Sequence, residues 1–409
     1  MQETLLIIGA GLESIEGIEV ARELGLRLVI VDGNVNAPGL DMADLKIIKS
    51  TYNFGGILNE LEKLLKQGVN VNGVIAMCAD VPITVAKIAQ ALNIPGLSLE
   101  TAKLVADKIE MKKRLKAMHI PIPDFADVSN KMELLETAKK IGFPLILKPA
   151  DSRGSRGVQI VDSVEQLETA WSVARKNSPT KRVIIEEFLE GPQVSTETIC
   201  NDGEYYTLGF ADRNYEWLEK TKPFIIENGG DTPTGLQENQ KKQMVKLAER
   251  AAEALGITHG IAKGDLVYTK DGPKVIEIAG RLSGGYFSTV QIPLATGVNL
   301  IEKAIKIALG QKLSSSELKP TKEQAVAIRY LKLPSGVIQS VEGIKQAQSL
   351  PGVKLLKIFI APDEVIPELT DHTKRSGFVI TIGATKNEAI ERAESTLNSL
   401  NFIYRSISP

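Results

Sequence analysis

The sequence predicts an α/β region followed by α+β regions. In the first hundred residues, apolar runs alternate with helical stretches, which is the pattern of a parallel sheet covered by helices. After residue 120 the strands follow one another more closely and are joined by turn signals, which is typical of antiparallel sheets. The length of 409 residues suits two or three domains of this kind.

Residues 1–105 are predicted to form the parallel α/β domain. Its strands are expected at 4–8, 27–31 and 71–77, and its helices at 15–24 and 82–92. The first apolar run ends at Gly9 and has no basic leader, so we interpret it as a strand rather than a signal peptide.

Residues 106–190 are predicted to form a small two-layer subdomain. Its strands are expected at 144–148, 157–161 and 182–185. Its helices are expected to begin at Asn130, with the capping-box partner Glu133, and at Ser163, with Gln166. A polar, glycine-rich loop joins the first two strands, and we expect this loop to move as a lid.

Residues 191–320 are predicted to carry an antiparallel sheet, and residues 321–409 a small α+β domain. The sheet should include strands 195–199 and 205–210, a helix at 240–255, and a hairpin of 264–268 and 274–278 with its turn at 270–273. The last domain should end in a helix capped by Thr385 and Glu388.

The composition excludes several functions. The apolar share of 43% and charged share of 24% are those of a globular protein, and no apolar run approaches membrane-spanning length. Forty-nine basic side chains balance 50 acidic ones, so no overall field attracts nucleic acid or anionic membrane. Cys78 and Cys200 cannot form a disulfide framework, which favours a reducing, cytoplasmic location.

The polar loop and the lysine at the end of the preceding strand predict phosphate binding. Glycines let successive backbone N–H groups converge on an oxyanion, serine hydroxyls add donors, and a lysine supplies a point charge. The candidate ligands are Lys148, Ser152, Gly154, Ser155 and Gly157. Their order differs from that of a Walker loop, and an ordinary flexible hairpin loop is the alternative.

The next strand ends in a pair of carboxylates, Glu186 and Glu187. Such a strand could offer backbone groups to an adenine edge, with Glu186 accepting from the exocyclic amine. Solvated glutamates at a strand end are the alternative interpretation.

Two carboxylates on the predicted hairpin indicate a metal site. Paired strands can bring Asp265 and Glu277 onto one face, and a few hard oxygen ligands suit magnesium held jointly with nucleotide phosphates. Two surface carboxylates are the alternative, but Asp265 precedes an apolar run and Glu277 lies within one, where a carboxylate needs a partner or a metal. Arg281 has a planar fork that can hold a phosphoryl or carboxylate group. Gly284 and Gly285 permit close approach of a small substrate.

Other chemistries lack support in the sequence. The histidines His119, His259 and His372 are scattered without metal-ligand spacing, so we interpret them as structural or solvated. We find no arrangement typical of a Ser/His/Asp or Cys/His nucleophile. Glycines flank Ala10 after the first strand as in a dinucleotide turn, but the third glycine of that motif is missing.

In order and spacing, these motifs resemble the ATP-grasp superfamily over essentially the whole chain. They are most similar to carboxylate–amine ligases, including L-amino acid ligases and proteins like biotin carboxylase and carbamoyl phosphate synthase. The resemblance implies an ATP-grasp fold with an N-terminal pre-ATP-grasp domain, a mobile lid subdomain, a catalytic subdomain and a small C-terminal domain. It also implies ATP and Mg²⁺, with Mn²⁺ as the alternative metal.

The resemblance assigns roles to particular residues. These are Lys108 and Lys148 on phosphates, Glu186, Glu187, Phe188 and Leu189 at the adenine, Asp265 and Glu277 on metal, and Arg281 at the transferring phosphate. Two positions depart from the family. Ala279 stands where asparagine is often a metal ligand, and Gln193 stands where many relatives have a ribose-binding glutamate.

The expected reaction joins a carboxylate to an amine. The carboxylate attacks the γ-phosphorus of ATP, and the amine then attacks the acyl phosphate, with Lys148 and Arg281 as the catalytic candidates. Arg213 and Glu227 are candidate contacts for a substrate carboxylate and ammonium. We expect small-molecule partners, neither nucleic acid nor membrane, and leave a homodimer open.

Three alternatives remain from the sequence. The nearest is another ATP-grasp chemistry, either purine-pathway ligation or bicarbonate-dependent carboxylation. The second is an ATP-binding regulator without catalysis, and the third is a nicotinamide oxidoreductase.

Overall fold

A computed structural model describes residues 2–405 of the chain. The strands are β1 Thr4–Ile8, β2 Arg27–Asp32, β3 Leu45–Ile48, β4 Gly73–Ile75, β5 Phe125–Val128, β6 Leu145–Pro149, β7 Gln159–Val161, β8 Val183–Glu187, β9 Gln193–Asn201, β10 Glu204–Arg213, β11 Gly230–Thr232, β12 His259–Thr269, β13 Gly272–Ala279, β14 Ala325–Tyr330, β15 Gly336–Glu342, β16 Val353–Ile358, β17 Val365–Ile366, β18 Gly377–Gly383 and β19 Asn401–Tyr404.

The α-helices follow the same order along the chain. They are α1 Ile15–Glu23, α2 Phe54–Lys66, α3 Pro82–Leu92, α4 Leu99–Ala106, α5 Lys108–Ala117, α6 Lys131–Ile141, α7 Leu167–Lys176, α8 Leu218–Thr221, α9 Glu238–Ala254, α10 Ile292–Thr296, α11 Leu300–Ala308, α12 Ile344–Gln348 and α13 Lys386–Asn398. Short 3₁₀ turns cover Leu12–Ser14, Pro38–Met42, Val164–Gln166 and His372–Lys374, and a π-helix covers Phe287–Gln291.

The chain divides into two compact units. Unit 1 consists of Met1–Ile122, Ser195–Phe210 and Gln237–Lys322. Unit 2 consists of Pro123–Val194, Ala211–Leu236 and Glu323–Pro409. Each unit therefore combines segments that are distant in sequence. The four-domain division expected from the sequence, with boundaries near 105, 190 and 320, stays a prediction.

Unit 1 begins with the parallel sheet that the sequence predicts. Its strand order is β3-β2-β1-β4, and every neighbouring pair is parallel. Side chains of β1 and β2 are buried because helices cover the sheet, as the continuous apolar runs require. Helix α3 has the predicted bounds, whereas β4 is shorter than the predicted strand 71–77.

Unit 1 also contains antiparallel strands in the order β13-β12-β9-β10. Strands β12 and β13 form the predicted hairpin, and each is longer than the sequence indicated. Helix α9 packs on both strands through a stripe of buried residues that includes Met244 and Leu247.

Unit 2 opens with an antiparallel sheet in the order β5-β8-β6-β7, packed against α6 and α7. Asn130 caps α6 as predicted, because its side chain accepts from the backbone N–H of Glu133. The second helix begins differently. Ser163 makes no side-chain capping bond, and a 3₁₀ turn precedes α7.

The rest of unit 2 is built on β11-β14-β18-β16, with α13 packed on β14 and β18. Thr385 caps α13 through a bond from the Glu388 N–H at 3.2 Å, as the sequence predicts. Strands β17-β15-β19 form a separate small sheet. Among the helices of residues 2–405, none is both long and apolar enough to span a membrane.

Candidate active site

The hairpin of unit 1 places two carboxylates directly opposite each other. Asp265 on β12 is the register partner of Glu277 on β13, and side chains of opposed residues share one face of a sheet. The pairing shifts by one residue just after Asp265, which marks an irregularity at this point of the hairpin. Asp265 is buried and accepts from the Ser195 hydroxyl at 3.2 Å and from the Lys263 ammonium.

Lys108 lies beside these carboxylates, with its Nζ 3.3 Å from Glu277 Oε1. It is the first residue of α5, and Asp107 caps that helix by accepting from the N–H groups of Ile109 and Glu110 at 2.9 and 3.1 Å. The helix N-terminus therefore presents Lys108 to the carboxylates of the hairpin.

Arg281 extends the same site at the end of the hairpin. Its Nη1 donates to the Leu282 carbonyl at 2.9 Å, and its Nη2 lies 3.5 Å from Asp80 Oδ2. Burial alone would lower the pKa of Arg281, but the carboxylates of Asp80 and Glu277 raise that pKa above its usual value. The guanidinium therefore stays charged. Its Nε is buried and, within the described residues, makes no hydrogen bond.

Glu197 is a site residue that sequence reasoning missed. It is fully buried on β9 and accepts from the Ser283 N–H at 2.9 Å and the Ser288 hydroxyl at 2.7 Å. Burial raises the pKa of its carboxyl group, and the two serines and Arg281 oppose that shift. Thr196 and Thr198 flank Glu197 in β9, so the apolar run that identified Glu277 is absent around it.

The turn after Arg281 is held by a second missed residue, Glu13. The Gly285 N–H donates to Glu13 Oε2 at 3.0 Å, and a Cβ on Gly284 would lie 2.6 Å from the same oxygen. Tyr286, which follows, has a left-handed backbone with φ of 63°, a conformation that an aromatic residue rarely adopts. The two glycines therefore permit close approach, as expected, but the group that approaches them is the Glu13 carboxylate rather than a substrate.

In unit 2, Lys148 on β6 forms an ion pair with Glu186 on β8. The Nζ–Oε2 distance is 2.8 Å, and the two side chains are 6% and 3% exposed. The strands are antiparallel neighbours, and the two residues are diagonal partners in the ladder. The predicted phosphate lysine and the predicted adenine contact are thus in direct contact with each other.

The glycine-rich loop follows Lys148 and has three residues with left-handed backbone. These are Gly154, Ser155 and Gly157, with φ of 63°, 60° and 73°. A Cβ at Gly157 would lie 2.7 Å from the Asn177 Cβ, so glycine is required there for space as well as for conformation. Ser152 is half-buried in the same loop. This backbone suits convergent N–H groups, as the sequence predicts.

The loop is held at both its start and its tip. Asp151 accepts from the Ser178 hydroxyl at 2.6 Å and the Thr180 N–H at 3.0 Å. At the tip, the His372 N–H donates to the Gly154 carbonyl at 3.0 Å, and the Ser155 hydroxyl lies 3.3 Å from His372 Nε2. The sequence predicts a structural or solvated role for His372, and in the structure His372 contacts the predicted lid.

The predicted adenine contacts lie at the end of β8. The Glu187 N–H donates to the Asp124 carbonyl at 2.8 Å, and the Asp124 N–H donates back to the Glu187 carboxylate at 3.2 Å. Phe188 is half-buried, Leu189 is buried, and Gln193 begins β9.

The two residues proposed for substrate recognition, Arg213 and Glu227, bind each other. Arg213 Nε donates to Glu227 Oε2 at 2.8 Å, and its guanidinium lies 5.4 Å from the centre of the Tyr215 ring. Arg375 lies over the Tyr330 ring at 3.7 Å and donates to the Glu227 carbonyl at 2.5 Å. These cations and rings form one cluster in unit 2, of which sequence reasoning identified only a part.

Comparisons with known proteins identify similar domains and similar folds. Residues 105–285 match the ATP-grasp domain, and residues 329–405 match the L-amino acid ligase C-terminal domain 2. The structure of L-amino acid ligase from Bacillus licheniformis superposes with a TM-score of 0.85 at 23% identity, covering 99% of this chain and 100% of that one. The biotin carboxylase domain of the 2-oxoglutarate carboxylase from Hydrogenobacter thermophilus, solved with MgADP and bicarbonate, gives a TM-score of 0.75 at 19% identity, covering 99% and 91%.

Two curated relatives are similar over most of this chain. Protein y4rH of Sinorhizobium fredii is 26% identical over 96% of this chain and 80% of its own length. The C-terminal section of the carbamoyl phosphate synthase large chain of Methanocaldococcus jannaschii is 26% identical over 96% of this chain. This chain spans 61% of the latter protein.

The chain therefore has the ATP-grasp fold, as the sequence resemblance implied. More particularly, it combines an ATP-grasp domain with the C-terminal domain that characterises L-amino acid ligases.

Proposed function

We propose that this protein is an ATP- and magnesium-dependent ligase that activates a carboxylate as an acyl phosphate and transfers it to an amine. The observation that carries the proposal is the placement of Asp265 directly opposite Glu277, with Lys108 at 3.3 Å from Glu277. Arg281 extends the same site at the end of the hairpin. Paired carboxylates beside a lysine and an arginine fit a metal that is shared with a polyphosphate.

The donor set fits magnesium. Asp265 and Glu277 would hold the ion through carboxylate oxygens, and magnesium completes its shell with water and phosphate oxygens rather than with many protein ligands. Within residues 2–405 there is no cluster of three or more metal-ligating side chains. When bound, the ion would neutralise charge on the phosphates. Ala279 offers no oxygen ligand, so the site is proposed for these two carboxylates alone.

Phosphate-binding roles are proposed for groups in each unit separately. In unit 1, Lys108 carries a positive charge at a helix N-terminus, where anions are favoured. In unit 2, Lys148 offers an ammonium, and the loop with left-handed backbone at Gly154, Ser155 and Gly157 offers N–H groups. The adenine is proposed to lie at 186–189 and the ribose at Gln193.

The reaction needs no side-chain nucleophile. A substrate carboxylate oxygen attacks the γ-phosphorus, ADP leaves, and a carbonyl carbon bonded to phosphate results. The charged guanidinium of Arg281 stabilises the negative charge of the transferring phosphoryl group. The amine nitrogen then attacks that carbon, the C–O bond to phosphate breaks, and the amine proton is released. Arg213 and Glu227 are proposed to exchange their mutual contact for substrate groups.

A cytoplasmic location is part of the proposal, and it agrees with two free cysteines. The partners are proposed to be a small carboxylate and a small amine. The biotin carboxylase domain from Hydrogenobacter thermophilus was solved with bicarbonate, so bicarbonate belongs among the compounds tested.

The test is phosphate release from ATP and magnesium with pooled amino acids, small carboxylates and bicarbonate. We expect particular pools to stimulate release, and Glu277→Ala and Arg281→Lys to remove the stimulation. Glu60→Ala is the matched control, because Glu60 forms only an exposed ion pair with Lys63 in unit 1. Failure of the protein to bind ATP would overturn the proposal, and so would equal stimulation in wild type and Glu277→Ala.

A further inference from the structure

Unit 1 contains a cavity beside the candidate active site. Its volume is about 80 Å³, well above the roughly 10–15 Å³ that one water requires. It lies between β4, at the edge of the parallel sheet, and the first residues of β12, with helices α3 and α11 contributing side chains. Among the residues that line it are Val74, Pro82, Val85, Ile261, Ala304 and Ile307.

The lining of this cavity is apolar with one charged side chain. That side chain is Arg281; apart from His259, the other residues that line the cavity are apolar residues and glycines. His259 Nε2 is already hydrogen-bonded to the Ile307 carbonyl at 2.9 Å, so one of its ring nitrogens is engaged. The cavity is therefore an apolar space with a guanidinium at its wall.

Arg281 has the capacity to bind an added carboxylate. Its Nε is buried and makes no hydrogen bond within the described residues, and its contact with Asp80 is long at 3.5 Å. A planar guanidinium binds a carboxylate through two parallel N–H···O bonds, which are stronger than a single long contact.

We propose that the cavity receives the apolar substituent of the carboxylate substrate while Arg281 holds the carboxylate. This inference rests on the proposed ligase function and names its substrate class, carboxylic acids with a small apolar group. Charged substituents are disfavoured because an apolar lining offers no partner for their charge. Apolar substituents gain affinity with each methylene until the cavity is full.

The close packing of protein interiors supports this assignment. Apolar voids forfeit contacts and destabilise a fold, so they are few and small where nothing binds. Arg281 lines both this cavity and the candidate active site. The cavity is therefore positioned to bind a side group of the substrate.

The test measures binding rather than turnover. Dissociation constants of a series of straight-chain aliphatic acids, two to eight carbons long, are determined by calorimetry with magnesium and a non-hydrolysable ATP analogue. We expect affinity to rise about fourfold per methylene, from roughly 0.8 kcal/mol per buried CH₂, up to a limiting length. Succinate, with a second carboxylate, should bind at least tenfold more weakly than the monocarboxylate of equal length.

Two variants at the cavity wall shift that limit in opposite directions. Ala304→Leu fills the cavity and should shorten the limiting acid, whereas Val85→Ala enlarges it and should lengthen it. A merely structural role for either residue would not move the length preference. Ala117→Leu, on the exposed surface of α5, is the control for a larger apolar side chain and should leave the series unchanged.

The outcomes separate this inference from the proposed function. No binding of the ATP analogue would overturn the ligase proposal itself. Binding of the analogue with no affinity for the acids, or with the same length preference in wild type and both variants, would overturn the assignment of the cavity. Opposite shifts in the two variants would establish it.

Discussion

Each unit of the protein contains a lysine–glutamate pair among its candidate functional residues, and the two pairs differ in burial. In unit 1, Lys108 and Glu277 are 3.3 Å apart, with side chains 13% and 25% exposed. In unit 2, Lys148 and Glu186 are 2.8 Å apart, with side chains 6% and 3% exposed. Both lysines have the same predicted role, binding the phosphates of ATP.

The difference in burial implies a difference in what each pair does before ATP arrives. A partly exposed pair contributes little to stability, so Lys108 and Glu277 can exchange partners for phosphate and metal at low cost. A buried pair cannot lose one member without leaving a charge that is neither solvated nor compensated. Lys148 and Glu186 therefore also hold β6 to β8, and we propose that ATP binds to Lys148 while the Lys148–Glu186 ion pair stays intact.

The largest expected effect is a loss of activity when the partly exposed pair, Lys108 and Glu277, is changed. Glu277→Ala removes one of the two proposed metal carboxylates and should lower phosphate release about 1,000-fold or more, which corresponds to about 4 kcal/mol of transition-state stabilisation. The melting temperature should change little. Residual activity within tenfold of wild type would remove Glu277 from the metal site.

The next effect is on stability, at the buried pair. Glu186→Ala should lower the free energy of unfolding by about 3–5 kcal/mol, because Lys148 is left as an uncompensated buried charge. Chemical denaturation measures this value. The double variant Lys148→Met with Glu186→Leu should recover most of the stability but none of the ATP binding. Equal destabilisation by Glu186→Ala and Glu277→Ala would contradict the comparison.

Lys108→Met tests whether Lys108, unlike Lys148, affects ATP binding without affecting stability. We expect a rise of about 10- to 100-fold in the KM for ATP, since one phosphate contact is lost, and a stability change of about 1 kcal/mol or less. Steady-state kinetics and denaturation on the same preparation check both values. Lys113→Met, at an exposed pair on the same helix, is the control and should change neither.

A smaller effect concerns pH and Glu197. Burial raises the pKa of Glu197 in the folded protein above its usual value of 4.5, so the folded state binds the proton more tightly than the unfolded state. The stability contributed by protonated Glu197 is present below pH 4.5 and is lost as pH rises through the folded pKa. Glu197→Gln keeps acceptors for Ser283 and Ser288 but has no charge to bury. The variant should therefore gain stability relative to wild type as pH rises from 4.5 to 8 in denaturation experiments.

Much of the architecture could be predicted because it depends on short sequence patterns, namely apolar runs, turns and helix caps. Continuous apolar runs predict the parallel sheet, and the turn at 270–273 sets the hairpin in which Asp265 and Glu277 face each other. Capping side chains predict where α6 and α13 begin. These features depend on residues that are neighbours in sequence or across one turn.

The contacts that sequence reasoning missed join distant parts of the chain. Asp80 lies 201 positions from Arg281, and Glu13 lies 272 positions from Gly285. Packing decides such contacts, and one sequence contains no local signal for them. The argument used for Glu277 does not reach Glu197, because Thr196 and Thr198 flank it and no apolar run signals its burial.

The central claim, an acyl phosphate formed by carboxylate attack on ATP, has a direct isotopic test. A stimulating carboxylate is labelled with ¹⁸O in both oxygens, and the phosphate released in the presence of an amine is analysed by mass spectrometry. The account predicts one ¹⁸O atom transferred to each phosphate, because the attacking oxygen leaves with phosphorus when the C–O bond breaks. Unlabelled phosphate at the same rate of ATP consumption would contradict it.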